Sequence, residues 1–245
     1  MIRGHDEIRD AYQSPDVAKG YIEERFRQPL GALLHHRQAS FLRRLIGQDR
    51  PQRILEIAPG PARLTVEVAR SWSGRLVVMD ASAAMLVEAR TRLPTGTARF
   101  IRSDAFQLPF KPEFDLVYTF RFIRHFEAAD RASLYEQIVR VMRPGGLLVF
   151  DAVNEAVSGP IRGAARPDEY QHYDALLRPE TLRADVKRSG LQLISLHGVQ
   201  HRYPMLSRLQ VLVAPRSRVL ARGAMEVIER LGGEPLEWIA VCRRA

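Results

Sequence analysis

Residues 53–65, Arg53-Ile-Leu-Glu56-Ile-Ala58-Pro-Gly60-Pro-Ala62-Arg63-Leu-Thr65, decide how the chain reads. Arg53–Ile57 reads as a strand, and a helix carrying Leu64, Val68 and Ala69 follows. Between them lie Ala58, Gly60 and Ala62, small residues at every second position. Small residues let a backbone approach a ligand, and the N-terminus of the following helix offers free N–H groups. A dinucleotide fingerprint needs a third glycine three residues after the second. Arg63 stands there, which disfavours a pyrophosphate and a nicotinamide-dependent oxidoreductase.

Working outward, short apolar runs alternate with amphipathic stretches, the pattern of an α/β fold with a mostly parallel sheet. Strands are predicted at 76–79, 98–102, 114–119 and 147–150, without internal alternation, as expected when helices bury both faces. Met85, Leu86, Ala89 and Leu93 form the inward side of one helix. Asp130 is a candidate cap for another, which bears Leu134, Ile138 and Val141. Residues 5–47 read as helical, with Gly47 as a stop, and Arg143-Pro-Gly-Gly146 as a turn. Pro179–Lys187 reads as a helix stopped by Gly190. Strands follow near 191–199 and 236–242, and the intervening Met205–Leu231 reads as helical with a break at Pro215. The expected organisation is an N-terminal helical cap over 1–50 and one domain over 51–245. A lid or insertion is expected at 154–178 and a helical insertion at 205–231.

The chain has 245 residues, 46% hydrophobic and 27% charged, which excludes global disorder. Charges interrupt every apolar run, so no membrane-spanning helix is expected. One cysteine, Cys242, excludes a disulfide framework and a Cys-rich zinc site. The opening MIRGHDEIRD resembles no signal or transit peptide, and a cytoplasmic location is the expectation. The net charge of +9, taken alone, points towards nucleic acid or an anionic membrane surface. Yet the bases are almost all arginine, Lys19, Lys111 and Lys187 being the lysines, and they are scattered without a run of five. Nucleic acid is therefore not the expected partner.

Three carboxylates stand at or near the ends of successive strands: Glu56, Asp80 and Asp104. Ligands of open α/β sheets bind outside the carboxyl ends of the strands. There Asp80 suits a ribose diol and Asp104 an adenine amino group, with Met85 or Phe106 against the ring. Each also has a plain alternative as a helix cap or loop residue. This combination resembles the class I S-adenosylmethionine-dependent methyltransferases. The resemblance covers residues 50–152 and rests on EIAPGPARLT (56–65), VVMDAS (77–82), RSDAFQLPF (102–110), FDLVYTFRFIRHF (114–126) and RPGGLLVFD (143–151), in family order. It departs from the family where Ala58 and Ala62 replace outer glycines, so Ala58 is expected in a backbone conformation that alanine tolerates.

The resemblance implies a doubly wound, Rossmann-like sheet of seven mostly parallel strands with the last antiparallel. It implies S-adenosylmethionine as cofactor and methyl transfer as the reaction. Ala58 and Gly60 would meet the methionine portion, Asp80 the ribose, Asp104 with Ala105 the adenine, and Phe120 the cofactor through its backbone; Glu56, Ala62, Ala81, Met85 and Phe106 are further cofactor-binding candidates. Tyr12 and Tyr21, on helices folded over the cofactor, are candidates for its carboxylate or are plain surface or core tyrosines. His125 is the best-placed base, and in the family a His there is often structural. Arg121 and Arg124 are candidates for an anionic substrate or are simply solvated, and His172, Tyr173 and Asp174, in the expected lid, would shape the substrate pocket. His35 and His36 read as packing or surface. His197 and His201 project to one face of a strand, but no metal is expected. A small-molecule acceptor is the leading expectation. An RNA methyltransferase is disfavoured by Thr119-Phe-Arg-Phe122, which is not the Asn/Asp-Pro-Pro-Tyr/Phe type that stacks a flipped base. A non-catalytic methyltransferase-like partner subunit is the remaining alternative.

Overall fold

The computed structural model describes residues 5–166 and 172–245. Its centre is a sheet in the order β3-β2-β1-β4-β5-β8-β7. The strands are β1 (Arg53–Ile57), β2 (Arg75–Asp80), β3 (Arg99–Arg102), β4 (Phe114–Thr119), β5 (Met142–Asn154), β7 (Leu191–His201) and β8 (Pro235–Arg244). An eighth, β6 (Leu176–Leu177), pairs in parallel with the end of β5 and was not expected. β1 to β5 run parallel; β8 lies antiparallel to both β5 and β7. The order reverses between β1 and β4, and that switch point opens a crevice at the carboxyl ends.

Both faces of the sheet are buried at its central strands, β1, β4, β5 and β8. Leu55 and Ile57 of β1, with Leu148 and Phe150 of β5, pack with Leu134 and Ile138 of α6 (Ala128–Val141) and Leu182 and Val186 of α8 (Pro179–Arg188). Ile54, Leu116, Val149 and Ile239 face the other way, towards Leu42 and Ile46 of α3 (Pro29–Asp49) and Val68 of α4 (Thr65–Ser71). Alternate residues of one strand thus feed opposite layers, which is why no polar face appears in the sequence. Met85, Leu86, Ala89 and Leu93, on or just after α5 (Ala83–Thr91), are all buried.

Several boundaries differ from the sequence reading. Residues 5–47 form three helices: α1 (His5–Ala11), α2 (Pro15–Phe26) and α3. Ser14 caps α2 with its side chain, and Pro15 and Pro29 occupy first-turn positions. Gly47 lies inside α3; the chain leaves the helix at Arg50, which has φ 47°. Glu127, not Asp130, is the N-cap of α6. The Arg143–Gly146 segment belongs to the long β5, whose register against β4 slips between Phe114 and Leu116. Within 154–178 the chain forms α7 (Glu155–Gly163) and β6; residues 167–171 of that span lie outside the described residues. The helical stretch beyond β7 is a pair, α9 (Tyr203–Leu212) and α10 (Arg218–Arg230), packed on α3 through Leu33, Leu206 and Met225. His197 and His201 do not share a face. Gln200 takes φ 58° and breaks the alternation, so His197 lies against Phe41 and His201 beside Glu229.

Candidate active site

The crevice at the switch point is a cleft with about 980 Å³ of empty space, counted out into the solvent at its mouth. It is lined by Tyr12, Tyr21, Glu56, Ala58, Gly60, Asp80, Ala81, Met85, Asp104, Ala105, Phe120, Arg121 and His125 among the residues singled out above. Several of the sequence candidates do not line it. Ala62 is buried with Ala89 and Leu93 behind the bend. Phe106 turns into the core, edge-on to Phe126. Arg124, His172, Tyr173 and Asp174 belong to the neighbouring region described below.

The bend after β1 is built from left-handed residues: Ala58 at φ 52°, Gly60 at φ 57° and Ala62 at φ 61°. Alanine does not hold that conformation comfortably, contrary to the expectation for Ala58; each instance costs roughly 1–2 kcal/mol. Strain of this kind concentrates at ligand clamps. Asp80 clasps the bend, since its carboxylate accepts from Gly60 N–H at 3.2 Å and from Ser82 N–H at 2.8 Å. Burial pushes its pKa up to about 6, against these donors. Glu56 sits deeper. Its Oε2 accepts from Thr65 Oγ1 at 2.5 Å and from Tyr118 Oη at 2.7 Å, and burial pushes its pKa up to about 7. It ties β1, β4 and the start of α4 together beneath the bend.

Arg63, read as an obstacle, is in the cleft wall. Burial lowers its pKa to about 10, its guanidinium lies over the Phe26 ring at 4.0 Å, and it donates to Gln38 at 2.6 Å. Nη1 is 3.1 Å from His35 Nδ1; burial, then Arg63, lowers the His35 pKa to about 4, so the neutral ring accepts. The front is closed by helices α1 and α2 with the loop between them, through Ile8, Arg9, Tyr12 and Tyr21. Ser82 Oγ accepts from Met85 N–H as the cap of α5 and donates to the Tyr12 carbonyl at 2.7 Å. Tyr12 stacks on His172, ring centres 5.6 Å apart at 17°.

Arg121 and His125 line both this cleft and a second, larger cavity. Helices α2 and α3, α7 and α9 bound the second cavity through Arg25, Phe26, Ile161, Tyr203 and Gln210. Between the two lies a buried charge cluster. Arg124 donates bidentately to Asp174 at 2.8 and 3.0 Å, and through Nη1 to Asp151 at 3.1 Å and Glu237 at 2.5 Å. Arg162 adds a further bond to Asp174. Burial pushes the Asp174 carboxyl up, but Arg124 and the His125 hydrogen bond overcome it and hold it well below the usual carboxylate range. Arg124 is thus neither solvated nor free for a substrate. His125 Nδ1 lies 2.9 Å from the Tyr173 carbonyl and 3.0 Å from Asp174 Oδ1. Both are acceptors, so Nδ1 carries a proton and Nε2 is the ring nitrogen these partners leave unused. Arg121, at φ 59°, donates its backbone N–H to Asp151 at 2.6 Å. Among the described residues, Arg121 Nε, Glu237 Oε2 and His172 Nδ1 are buried polar atoms around the junction that find no hydrogen-bond partner.

Asp151 and Glu237 were not identified as site residues from sequence, and Asp174 was read as shaping the substrate pocket, not as a partner of Arg124 and His125. A signal was present: Glu237 interrupts an apolar strand, Leu236-Glu-Trp-Ile-Ala-Val241, and a buried charge demands a partner. Among the described residues no group of three or more His, Cys, Asp or Glu is placed to hold a metal, and no helix is long and apolar enough to cross a membrane.

The sheet order, the clasped bend and the acidic strand ends define a nucleoside-binding α/β enzyme. The chain belongs to the class I S-adenosylmethionine-dependent methyltransferases. Residues 54–146 match the family model described as a methyltransferase domain. A ubiquinone/menaquinone biosynthesis C-methyltransferase from Ectopseudomonas mendocina is 34% identical over 198 residues, covering 68% of this chain and 75% of that one. A malonyl-[acyl-carrier protein] O-methyltransferase from Methylococcus capsulatus is 29% identical over 201 residues, covering 74% and 71%. The magnesium protoporphyrin IX methyltransferase of Synechocystis, solved with S-adenosylhomocysteine, shares the fold at TM-score 0.67 and 13% identity over 99% of this chain and all of that one. The residues present fit the cofactor: a strained small-residue bend, a carboxylate at the end of β2 and apolar walls from Met79, Met85 and Phe120.

Proposed function

We propose that this methyltransferase modifies a small-molecule acceptor seated in the second cavity, with His125 as the base. The carrying observation is that the two cavities share Arg121 and His125 as walls. The cofactor supplies an electrophilic sulfonium methyl, so the protein's task is alignment and exclusion of water. In this reading Ala58 and Gly60 hold the amino-acid end, Tyr12 and Tyr21 cover it, and Asp80 with Ala81 takes the ribose. Asp104, Ala105 and Met85 take the adenine, and Phe120 closes the floor. Glu56 supports the bend from below. Asp174 is a positioning residue that fixes the His125 tautomer. The unpartnered Arg121 Nε and Glu237 Oε2 favour an acceptor group that both accepts and donates, such as a hydroxyl. The quinone-biosynthesis name of one relative also favours a small acceptor.

The test is transfer of labelled methyl from the cofactor into a cellular extract, separated into small-molecule and macromolecular fractions. Label is expected in the small-molecule fraction. With that acceptor, His125→Gln is expected to lower kcat roughly 10²–10⁴-fold, leaving cofactor Kd within about threefold. Label confined to RNA or protein overturns the acceptor class, and an unchanged kcat overturns the base.

A further inference from the structure

The helical pair between β7 and β8 carries an apolar surface that the methyl-transfer site does not use. On α10, Ala221, Met225 and Glu229 are buried against the body of the protein. The opposite side of the same helix presents Leu220, Val227 and Leu231, at spacings of seven and eleven residues, to solvent. Val219 and Leu220 are 80% and 68% exposed, and across the turn Val211 and Leu212 of α9 are 66% and 61% exposed. A helix with aliphatic residues on two opposed sides has one more apolar side than its own fold covers.

The charge around this tip has one sign. Residues 202–225 contain Arg202, Arg208, Arg216, Arg218 and Arg222 and no Asp or Glu. The carboxylates that follow on α10 are directed elsewhere. Glu226 pairs with Arg37 at 2.7 Å, and Glu229 accepts the backbone N–H groups of Gln200 and His201. A second copy brought up to this face would set arginines against arginines. An exposed aliphatic stripe edged by arginine and free of carboxylates complements an anionic lipid surface, whose headgroups attract each base while the acyl boundary accepts the aliphatic side chains.

We propose that the α9–α10 tip docks the protein on anionic membrane surfaces, lying in the interface without spanning it. Tyr203 and Gln210 of the same α9 line the second cavity. Docking therefore sets a wall of that cavity close to the headgroups. The proposal is independent of which acceptor is methylated, because its readout is binding.

The experiment is flotation of the full chain with phosphatidylcholine vesicles, with and without phosphatidylglycerol. The wild type is expected to float with anionic vesicles and to be released by high salt. Leu220→Ser with Val227→Ser, and separately Arg216→Glu with Arg218→Glu, are each expected to weaken binding at least about tenfold. These positions are exposed, so thermal melting should be unchanged and certifies the fold. Failure of the wild type to float overturns the proposal, as does equal flotation by both variants. So does a concentration-dependent dimer that the serine variant abolishes, since the stripe would then be a contact between copies.

Discussion

Ala58 and Ala62 occupy left-handed backbone on either side of Gly60, and the family pattern places glycine at both. Glycine there relieves the Cβ clash but loosens the unfolded chain, and the two effects oppose. Ala58→Gly is expected to be neutral or to stabilise the protein by up to about 1 kcal/mol, read as the shift in a denaturant midpoint. A loss of more than that would show that the Ala58 methyl makes packing the bend depends on. The residue types of this bend were legible in the sequence as a ligand-approach turn. Its strain was not, because φ is dictated by how β1, α4 and Asp80 close around it and not by the identity of alanine. Arg63 shows the same limit. A long base in a tight turn reads as an obstruction until Phe26, Gln38 and His35, all contributed by the N-terminal helices, are brought around it.

At the scale of elements, β1 to β4 were legible to within a residue or two, because an apolar run between turn signals admits few alternatives, whereas β5 runs several residues beyond its apolar centre at both ends. Breaks among the N-terminal helices were less so, although Ser14-Pro15 and Gln28-Pro29 mark them. Gly31 shows why these breaks matter. A Cβ built there would lie 2.1 Å from the Arg25 carbonyl and 2.9 Å from Phe26 Cα, so the α2–α3 corner closes on a residue without a side chain. Gly31→Ala is expected to force the two helices apart and destabilise the protein by about 1–3 kcal/mol, measured by thermal unfolding. Phe26 and Arg63 would shift with α2, so cofactor affinity should fall in the same variant. The buried cluster of Arg124 with Asp151, Asp174 and Glu237 was illegible for a related reason. Its members come from four distant segments, and no local spacing joins them.

At the scale of the whole molecule, the sheet behaves as one cooperative unit, since β5 and β8 pair along most of their length and both layers pack on them. Cys242, paired with Leu148 near one end of that ladder, is buried, and burial pushes its thiol up to about 12. A thiol so placed reacts only when the sheet opens. Labelling by an aromatic disulfide reagent is therefore expected to be at least about 10³-fold slower in the native protein than in denaturant, tracking global stability. Fast native labelling would reveal an edge that opens by itself. The Ser82 hydroxyl carries a different consequence. It begins α5 and latches the loop bearing Tyr12 over the cleft with one hydrogen bond. On the proposed reading the nucleoside lies behind that loop, so one serine joins the helix at its side to the cover at its front.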